Sequence, residues 1–283
     1  MGKVVLAAKV THVPSLMISE RPGVLHGKRA DAIESLRELG RRADARGADT
    51  FLVFDTHWIS NFGCHMNAKA FHRGVYTSHE APHMIQNLTY ALPGNADLGE
   101  RIAAEASKSG LEVFAHDVDS LPLEYGTIVP MHYMNTDSAK RVIPVAAPVF
   151  ASIEENRIFG AAARRAIEAS PYNVAVLASG SLSHRLVANS VVGDDQWDVD
   201  PPEFNRQVDL RVIDLWKSGA YRAFVRMLPD YSTKCNGEAM MADTHMLFGL
   251  LGWDEYDGRC EMLCDYFSSS GSGQVNAEFH LEP

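Results

Sequence analysis

Residues 50–58 of the chain are TFLVFDTHW, a run of branched and aromatic residues that ends in polar ones. A short apolar run of this kind is typical of a buried strand in a parallel or mixed sheet. Ligand sites in α/β folds lie at the carboxyl ends of such strands. We therefore expect His57 at that edge of the sheet, where a metal ligand or a proton carrier would act. The structural alternative is a hydrogen-bonded histidine that merely ends a strand.

A second histidine follows the first strand of the chain. Residues 4–10 are apolar apart from Lys9 and predict a strand, which is followed by His12 and stopped by Pro14. Residues 28–46 have apolar positions at helical spacing and predict an amphipathic crossover helix between the two strands. A strand–helix–strand unit of this kind places His12 and His57 at the same edge of the sheet.

The same alternation continues through the rest of the chain. Strands are predicted at 112–116, 142–149 and 174–178, helices at 96–109, 154–169, 202–218 and 220–227, and two more strands in the tail, 260–281. We expect residues 71–93 to form a long loop or lid, and residues 121–134 to be irregular. No interdomain linker is visible, so residues 1–283 are expected to form a single α/β domain with a central mixed sheet flanked by helices.

Composition narrows the class of partner. The net charge is −10, and the 26 basic residues form no long run, which argues against a nucleic-acid or anionic-membrane surface. The four cysteines lack a metal-binding spacing and are too few for a secreted disulfide framework, so a cytoplasmic protein is expected. No stretch has the length of a membrane span. A homo-oligomer is the usual state of enzymes of this size.

A third histidine, His184, follows the predicted strand 174–178. Two imidazoles and one carboxylate form the facial triad of non-haem iron(II), so the three strand-end histidines His12, His57 and His184, together with an acidic residue, predict a metal site at the strand ends. From the residues alone, four acidic residues remain candidates for the third ligand: Glu238, Asp55, Glu80 and Asp243.

Two other interpretations of these segments are weaker. The turn at 180–183 contains Gly-Ser-Leu-Ser and lacks the second glycine of a hydrolase nucleophile elbow. Arg185 is a candidate for bidentate contact with a substrate carboxylate, although a structural salt bridge is the commoner role. Six further histidines are expected at surface or ordinary polar positions: His26, His65, His72, His132, His245 and His280. Three lie in irregular segments and are candidates to line a pocket: His79, His83 and His116.

Five ordered motifs together resemble the class III extradiol ring-cleaving dioxygenases over essentially the whole chain. They are AKVTHVPS at 8–15, VFDTHW at 53–58, LASGSLSHR at 177–185, GE at 237–238 and SGSGQVNA at 270–277. Each motif alone is weak, and their order makes the resemblance specific.

The resemblance implies that His12, His57 and Glu238 bind Fe(2+) and that His184 is the acid/base residue. Several family members carry a second histidine where this chain has Tyr125, which is expected to donate a hydrogen bond to substrate or bound oxygen. The implied reaction is ring cleavage of a catechol by dioxygen, with 3,4-dihydroxyphenylacetate as the expected substrate. Alternatives are another catechol, an aminophenol, a zinc-dependent hydrolase that uses the same ligands, or a non-catalytic subunit.

Overall fold

The computed structural model describes residues 1–188, 190 and 198–281, and in them a mixed sheet with helices on both faces. The strands are β1 Lys3–Val10, β2 Thr50–Ser60, β3 Cys64–Asn67, β4 Phe71–Tyr76, β5 Leu88–Pro93, β6 Val113–His116, β7 Arg141–Pro148, β8 Asn173–Ser179, β9 Cys260–Met262, β10 Phe267–Ser269, β11 Ser272–Gln274 and β12 Ala277–Phe279. The helices are α1 Ser15–Ser19, α2 Ala30–Ala45, α3 Ala96–Ser107, α4 Tyr125–Met134, α5 Ile153–Glu168, α6 Glu203–Lys217, α7 Tyr221–Lys234 and α8 Ala242–Leu251. The α/β prediction is confirmed.

The main sheet has eight strands in the order β6-β3-β7-β2-β8-β1-β12-β9. Its centre, β7-β2-β8-β1, is parallel, and β12 and β9 extend it in antiparallel pairing. Helices α3, α5 and α8 cover one face, while α2 and α4 cover the other. Parallel strands buried on both faces explain the nearly continuous apolar runs from which the sequence predicts them. Within the described residues, no helix is both long and apolar enough to cross a membrane.

The register of the central strands places the three histidines. Strands β2 and β8 pair as far as Asp55 and Ser179, and the register of β2 against β7 then shifts between Asp55 and Ile59. One carboxylate oxygen of Asp55 accepts hydrogen bonds from the backbone N–H groups of His57 at 2.8 Å and Trp58 at 3.2 Å. Where β2 bends, these two N–H groups donate to the side chain of Asp55 instead of to a neighbouring strand. The bend orients His57.

Three segment predictions are wrong in part. Residues 71–93 form the hairpin of β4 and β5 around a shorter loop at 77–87. The buried positions of β4 are His72 and Tyr76 rather than aliphatic residues, which hides the alternation. Residues 125–134 form α4, which is buried on almost every side and contains Pro130, so it has no amphipathic periodicity to detect. The tail forms four short strands, rather than the predicted two.

A buried ion pair joins β1 to α8. The ammonium of Lys9 contacts the carboxylate of Asp243, and both residues are at most 1% exposed. We expect Lys9→Met to lower the free energy of unfolding by about 3–5 kcal/mol, because an unpaired charge would then be buried. The double variant Lys9→Met/Asp243→Leu should recover most of that loss. Urea unfolding of the three proteins measures this, and a double variant less stable than Lys9→Met would contradict it.

Two histidines predicted at surface or ordinary polar positions are in fact buried. His72 is 1% exposed and His245 is 2% exposed, and neither ring nitrogen of His245 has a hydrogen-bond partner within the described residues. Burial lowers the pKa of each imidazole from 6.5 to about 4, with nearby Lys9 adding to the effect at His245. Both side chains are therefore held neutral in the folded protein.

We expect acid to destabilise the fold through these histidines. Between about pH 6.5 and pH 4 the unfolded chain binds protons that the folded chain does not. The stabilisation is therefore complete above pH 6.5 and declines by about 1.4 kcal/mol per pH unit for each histidine as the pH falls. His245→Leu should remove one such contribution and give a shallower decline. Urea unfolding between pH 7.5 and 5 tests this, and parallel declines in the two proteins would refute it.

Candidate metal centre

Three neighbouring strands, β2, β8 and β1, bring the predicted histidines to one edge of the sheet. His12 follows β1, His57 lies in the last part of β2, and the segment after β8 leads to His184. The backbone N–H of His184 donates to the carbonyl of Asn236 at 2.9 Å, and that of Glu238 donates to the carbonyl of Leu182 at 3.3 Å. These bonds attach the loop after α7 to the loop after β8, and so place Glu238 beside the histidines.

His12 directs its Nε2 atom at the carboxylate of Glu238. Its Nδ1 lies 2.9 Å from the hydroxyl oxygen of Ser179, which donates its own hydrogen to the carbonyl of Gly126 at 2.5 Å. Since that hydroxyl hydrogen is engaged, Nδ1–H must be the donor to Ser179. The other ring nitrogen, Nε2, faces the site and lies 3.4 Å from Oε1 of Glu238. Orientation of an imidazole through its other nitrogen is typical of metal-binding histidines.

His57 is oriented by the carboxylate of Glu124. Its Nδ1 lies 3.3 Å from Oε2 of Glu124, which also accepts a hydrogen bond from the hydroxyl of Tyr76 at 3.0 Å. Its Nε2 lies 3.4 Å from Oε1 of Glu80. Burial disfavours the imidazolium, but Glu124 and Glu80 outweigh burial and raise the pKa of His57 to about 10. The only signal for Glu124 in the sequence is its position beside Tyr125.

Glu238 is buried, and its carboxylate accepts three hydrogen bonds. Its Oε1 accepts from the hydroxyl of Thr56 at 2.8 Å, and its Oε2 accepts from the backbone N–H of Ser181 at 2.5 Å and from the Ser181 hydroxyl at 2.7 Å. Burial alone would raise the pKa of this carboxyl, yet His184 and His12 hold it well below its usual range. Glu238 is therefore an ionised carboxylate in a rigid setting, as a metal ligand requires.

The other acidic candidates differ in their surroundings. Asp55 uses its oxygens on the backbone of β2 and on the hydroxyl of Thr127 at 2.7 Å, and Asp243 pairs with Lys9. Both are structural carboxylates. Glu80 lies on the loop between β4 and β5 and contacts His57, with its side chain 58% exposed. Geometry thus leaves Glu238 and Glu80 at the site.

His184 has the geometry of a base. Its Nδ1 lies 2.9 Å from the hydroxyl oxygen of Ser181, whose hydrogen is donated to Glu238. Nδ1–H must therefore donate to Ser181, and in the neutral imidazole Nε2 is then the acceptor. Like Ser179 at His12, Ser181 was not singled out from the sequence, because no pattern shows that a serine will orient an imidazole.

A cavity of about 310 Å³ opens beside these residues. Its polar floor includes His12, Glu80, Tyr125, His184 and Glu238. Its walls combine apolar and small polar side chains: Val13, Pro14, Ser15, Ala81, His83, Met84, Leu186, Val187, Ser269, Ser270, Ser272 and Gln274. Such a volume is typical of small-molecule sites. Of the three histidines that the sequence suggested as pocket residues, His83 lines this cavity.

The two predicted substrate-binding residues lie in different positions. Tyr125 begins α4, donates its hydroxyl to Glu80 and lies against the ring of His57, with ring centroids 3.7 Å apart and ring planes tilted by 37°. A side chain at the next residue, Gly126, would approach Asp55 to 2.0 Å, so only glycine fits there. Arg185 is exposed and is not among the residues that line the cavity. Its contact with substrate stays a prediction.

The predicted ligands His12, His57 and Glu238 lie near one another, but their ligand atoms do not all lie within 4.8 Å of one another. The ring centroids of His12 and His57 are 6.3 Å apart, and the Nε2 atom of His57 lies near Glu80. Within the described residues, Glu261, Glu278 and His280 are the only trio with ligand atoms all within 4.8 Å. That trio is neutralised by Arg42 and Arg46, which pair with its carboxylates, so it is a salt-bridge network.

Comparison with known proteins identifies relatives that match nearly the whole chain. The 3,4-dihydroxyphenylacetate 2,3-dioxygenase of Escherichia coli is 45% identical over 273 residues, which covers 95% of this chain and 98% of that one. The 2-aminophenol 1,6-dioxygenase beta subunit of a Pseudomonas species is 24% identical over 99% of this chain and 95% of its own. Its alpha subunit is 21% identical over 87% of this chain and 89% of its own.

The fold and the family agree with these relatives. An uncharacterized protein of Escherichia coli K12 has a crystal structure that superposes with a TM-score of 0.68 at 14% identity, over 98% of this chain and all of that one. The family model of the catalytic LigB subunit of aromatic ring-opening dioxygenases matches residues 6–280. Because the match spans almost the entire chain, the protein belongs to this family of aromatic ring-opening dioxygenases.

Proposed function

We propose that the chain uses Fe(2+), held by His12, His57 and Glu238, to cleave 3,4-dihydroxyphenylacetate by dioxygen. The product would be 5-carboxymethyl-2-hydroxymuconate semialdehyde. The observation that carries the proposal is that the imidazole of His184, which contacts Ser181, lines one cavity with His12 and the ionised Glu238. The 45% identity with a relative named for this reaction supports the choice of substrate.

The donor set fits a ferrous ion. His12 and His57 each have Nδ1 engaged, by Ser179 and Glu124 respectively, so each would coordinate a metal through Nε2, and His57 would first lose the Nε2 proton that its raised pKa retains. Glu238 supplies an ionised carboxylate, which completes the two-histidine, one-carboxylate set. When bound, a ferrous ion with open positions would bind the adjacent catechol oxygens and lower the pKa of the hydroxyls.

The protein's own groups would supply proton transfer and exclusion of water. Nε2 of His184 would take a proton from a catechol hydroxyl and return it later in the reaction. Ser181 keeps the imidazole in the required tautomer through its contact with Nδ1. The apolar walls, which include Val13, Met84 and Leu186, would shield the reacting ring from solvent. Tyr125 would donate a hydrogen bond to substrate or bound oxygen once its hydroxyl leaves Glu80.

Several finer features belong to the same proposal. Residues 1–283 would act as one catalytic domain in a cytoplasmic homo-oligomer, and Arg185 is proposed to meet the substrate carboxylate. The relatives named for 2-aminophenol make an aminophenol or another catechol the next substrate to test.

Oxygen uptake by protein loaded anaerobically with iron(II) tests the proposal. Addition of 3,4-dihydroxyphenylacetate should consume one equivalent of dioxygen per substrate and produce a yellow ring-opened product. Catechols that lack the acetate group and 2-aminophenol serve as comparison substrates. If iron is bound but no such compound causes uptake, the zinc-dependent hydrolase becomes the better assignment, because metal-assisted hydrolysis needs no dioxygen.

A further inference from the structure

The loop at 77–87 presents a carboxylate to the site from the solvent side. The loop is closed by hydrogen bonds from the backbone N–H of Ser78 to the carbonyl of Ile85 at 3.0 Å and from that of Ala81 to the Ser78 hydroxyl at 3.0 Å. Ala81, Met84 and Ile85 are buried and anchor it. Glu80 lies in this anchored loop, yet its side chain is 58% exposed. Its backbone is therefore held in place while its carboxylate has room to move.

The tip of Glu80 occupies the space in front of a proposed ligand atom. Its Oε1 lies 3.4 Å from Nε2 of His57 and accepts a hydrogen bond from the hydroxyl of Tyr125. Two ligands of one metal ion, each about 2.1 Å from it, are about 3 Å apart. The His12–Glu238 pair has the same spacing of 3.4 Å between Nε2 and Oε1. Glu80 and His57 thus make the same kind of histidine–carboxylate contact as His12 and Glu238.

Glu80 differs from Glu238 in the way expected of an exchangeable ligand. Glu238 is buried and accepts three hydrogen bonds from Thr56 and Ser181, so leaving its place would cost those bonds. Glu80 has solvent beside it and can exchange a metal contact for water. Two carboxylates balance the charge of a divalent cation. When a catecholate anion binds the ion, its negative charge would take the place of the charge of one carboxylate.

We infer that Glu80 is a fourth, exchangeable carboxylate of the metal centre, which holds the ion while the site awaits substrate and withdraws when a catechol binds. This inference rests on the proposed function, since it assumes that His57 binds the metal and that a catechol reaches it. Withdrawal of Glu80 would also release the hydroxyl of Tyr125 toward the cavity. Glu80 is therefore a ligand whose contribution depends on whether substrate is present.

The dissociation constant of Fe(2+), measured anaerobically by competition with a chelator, tests the inference. Each protein is measured without catechol and with saturating 3,4-dihydroxyphenylacetate. Glu80→Gln keeps an acceptor for Tyr125 but removes the charge, and Glu100→Gln, an exposed residue on α3, is the matched control. Because the amide oxygen of Gln can still reach the ion but carries no charge, we expect Glu80→Gln to weaken iron binding by only about 10- to 100-fold without catechol, and to match the unaltered chain once catechol is bound.

Two results would overturn the inference. Equal iron affinity of Glu80→Gln and the control without catechol would show that Glu80 does not hold the ion. An equal deficit with and without catechol would show that it does not withdraw. Because ring cleavage is not measured, a chain that binds iron and shows the expected pattern but cleaves no catechol would contradict the proposed function alone. Failure of the unaltered chain to bind iron would overturn both.

Discussion

Glu238→Ala is expected to lose bound iron and ring cleavage together. The variant removes an ionised, buried carboxylate that lies 3.4 Å from Nε2 of His12, and no other described acidic residue accepts the same hydrogen bonds from Ser181. Loss of a residue that merely orients a metal ligand costs about 10- to 100-fold in affinity, so loss of the ligand itself should cost more than about 100-fold. Iron content after gel filtration and oxygen uptake measure the two losses.

The control for this prediction is Glu261→Ala. Glu261 belongs to the trio with His280 and Glu278 that satisfies a simple distance criterion for metal binding. Because Arg42 already pairs with Glu261, we expect this variant to keep both iron and turnover. Near-normal ring cleavage by Glu238→Ala, or loss of iron in Glu261→Ala, would refute the placement of the metal centre.

His184→Ala is expected to separate metal binding from chemistry. The imidazole lines the cavity and contacts Ser181, while its Nδ1 lies 3.7 Å from Glu238. Its removal should leave the three proposed ligands in place and eliminate the group that accepts the substrate proton. General acid–base catalysis typically contributes about 10²- to 10⁴-fold, so kcat should fall by that factor while iron content is unchanged.

Two comparisons distinguish a base from a structural residue. His26→Ala, at an exposed histidine outside the cavity lining, should leave both iron content and kcat unchanged. In His184→Ala the kcat should decrease much more than the affinity for catechol measured by anaerobic titration. Loss of iron along with activity would mean that His184 is a ligand, and retention of full kcat would mean that it is not the acid/base residue.

The arrangement of the histidines followed from sequence because it depends on local patterns. Apolar runs that end before His12 and His57 predict parallel strands, and parallel strands joined by right-handed crossovers have their carboxyl ends at one edge. The same reasoning succeeded for His184 after β8. It failed for α4 and for the hairpin of β4 and β5, because a helix buried all round and strands with polar inward residues lack the periodicity on which such predictions depend.

Sequence patterns could not distinguish the roles of the four acidic residues. Asp55, Asp243, Glu80 and Glu238 are equally acidic in the sequence, and only the resemblance to a family favoured Glu238. In the structure their hydrogen bonds distinguish them, since Asp55 serves the backbone of β2 and Asp243 pairs with Lys9. Those partners lie up to 234 residues away along the chain, so no local signal encodes them.

Patterns in the sequence were sufficient for the α/β class, for the strand ends that carry His12, His57 and His184, and, through the ordered motifs, for the family. Local hydrophobic periodicity and chain chirality account for the first two. The folded chain was needed to show which nitrogen of each imidazole faces the site, that Glu124 and Ser181 orient the rings, and that Glu80 reaches His57 from a solvent-exposed loop. Hydrogen-bond direction and side-chain reach depend on the packing of segments distant in sequence, and that packing exists only after folding.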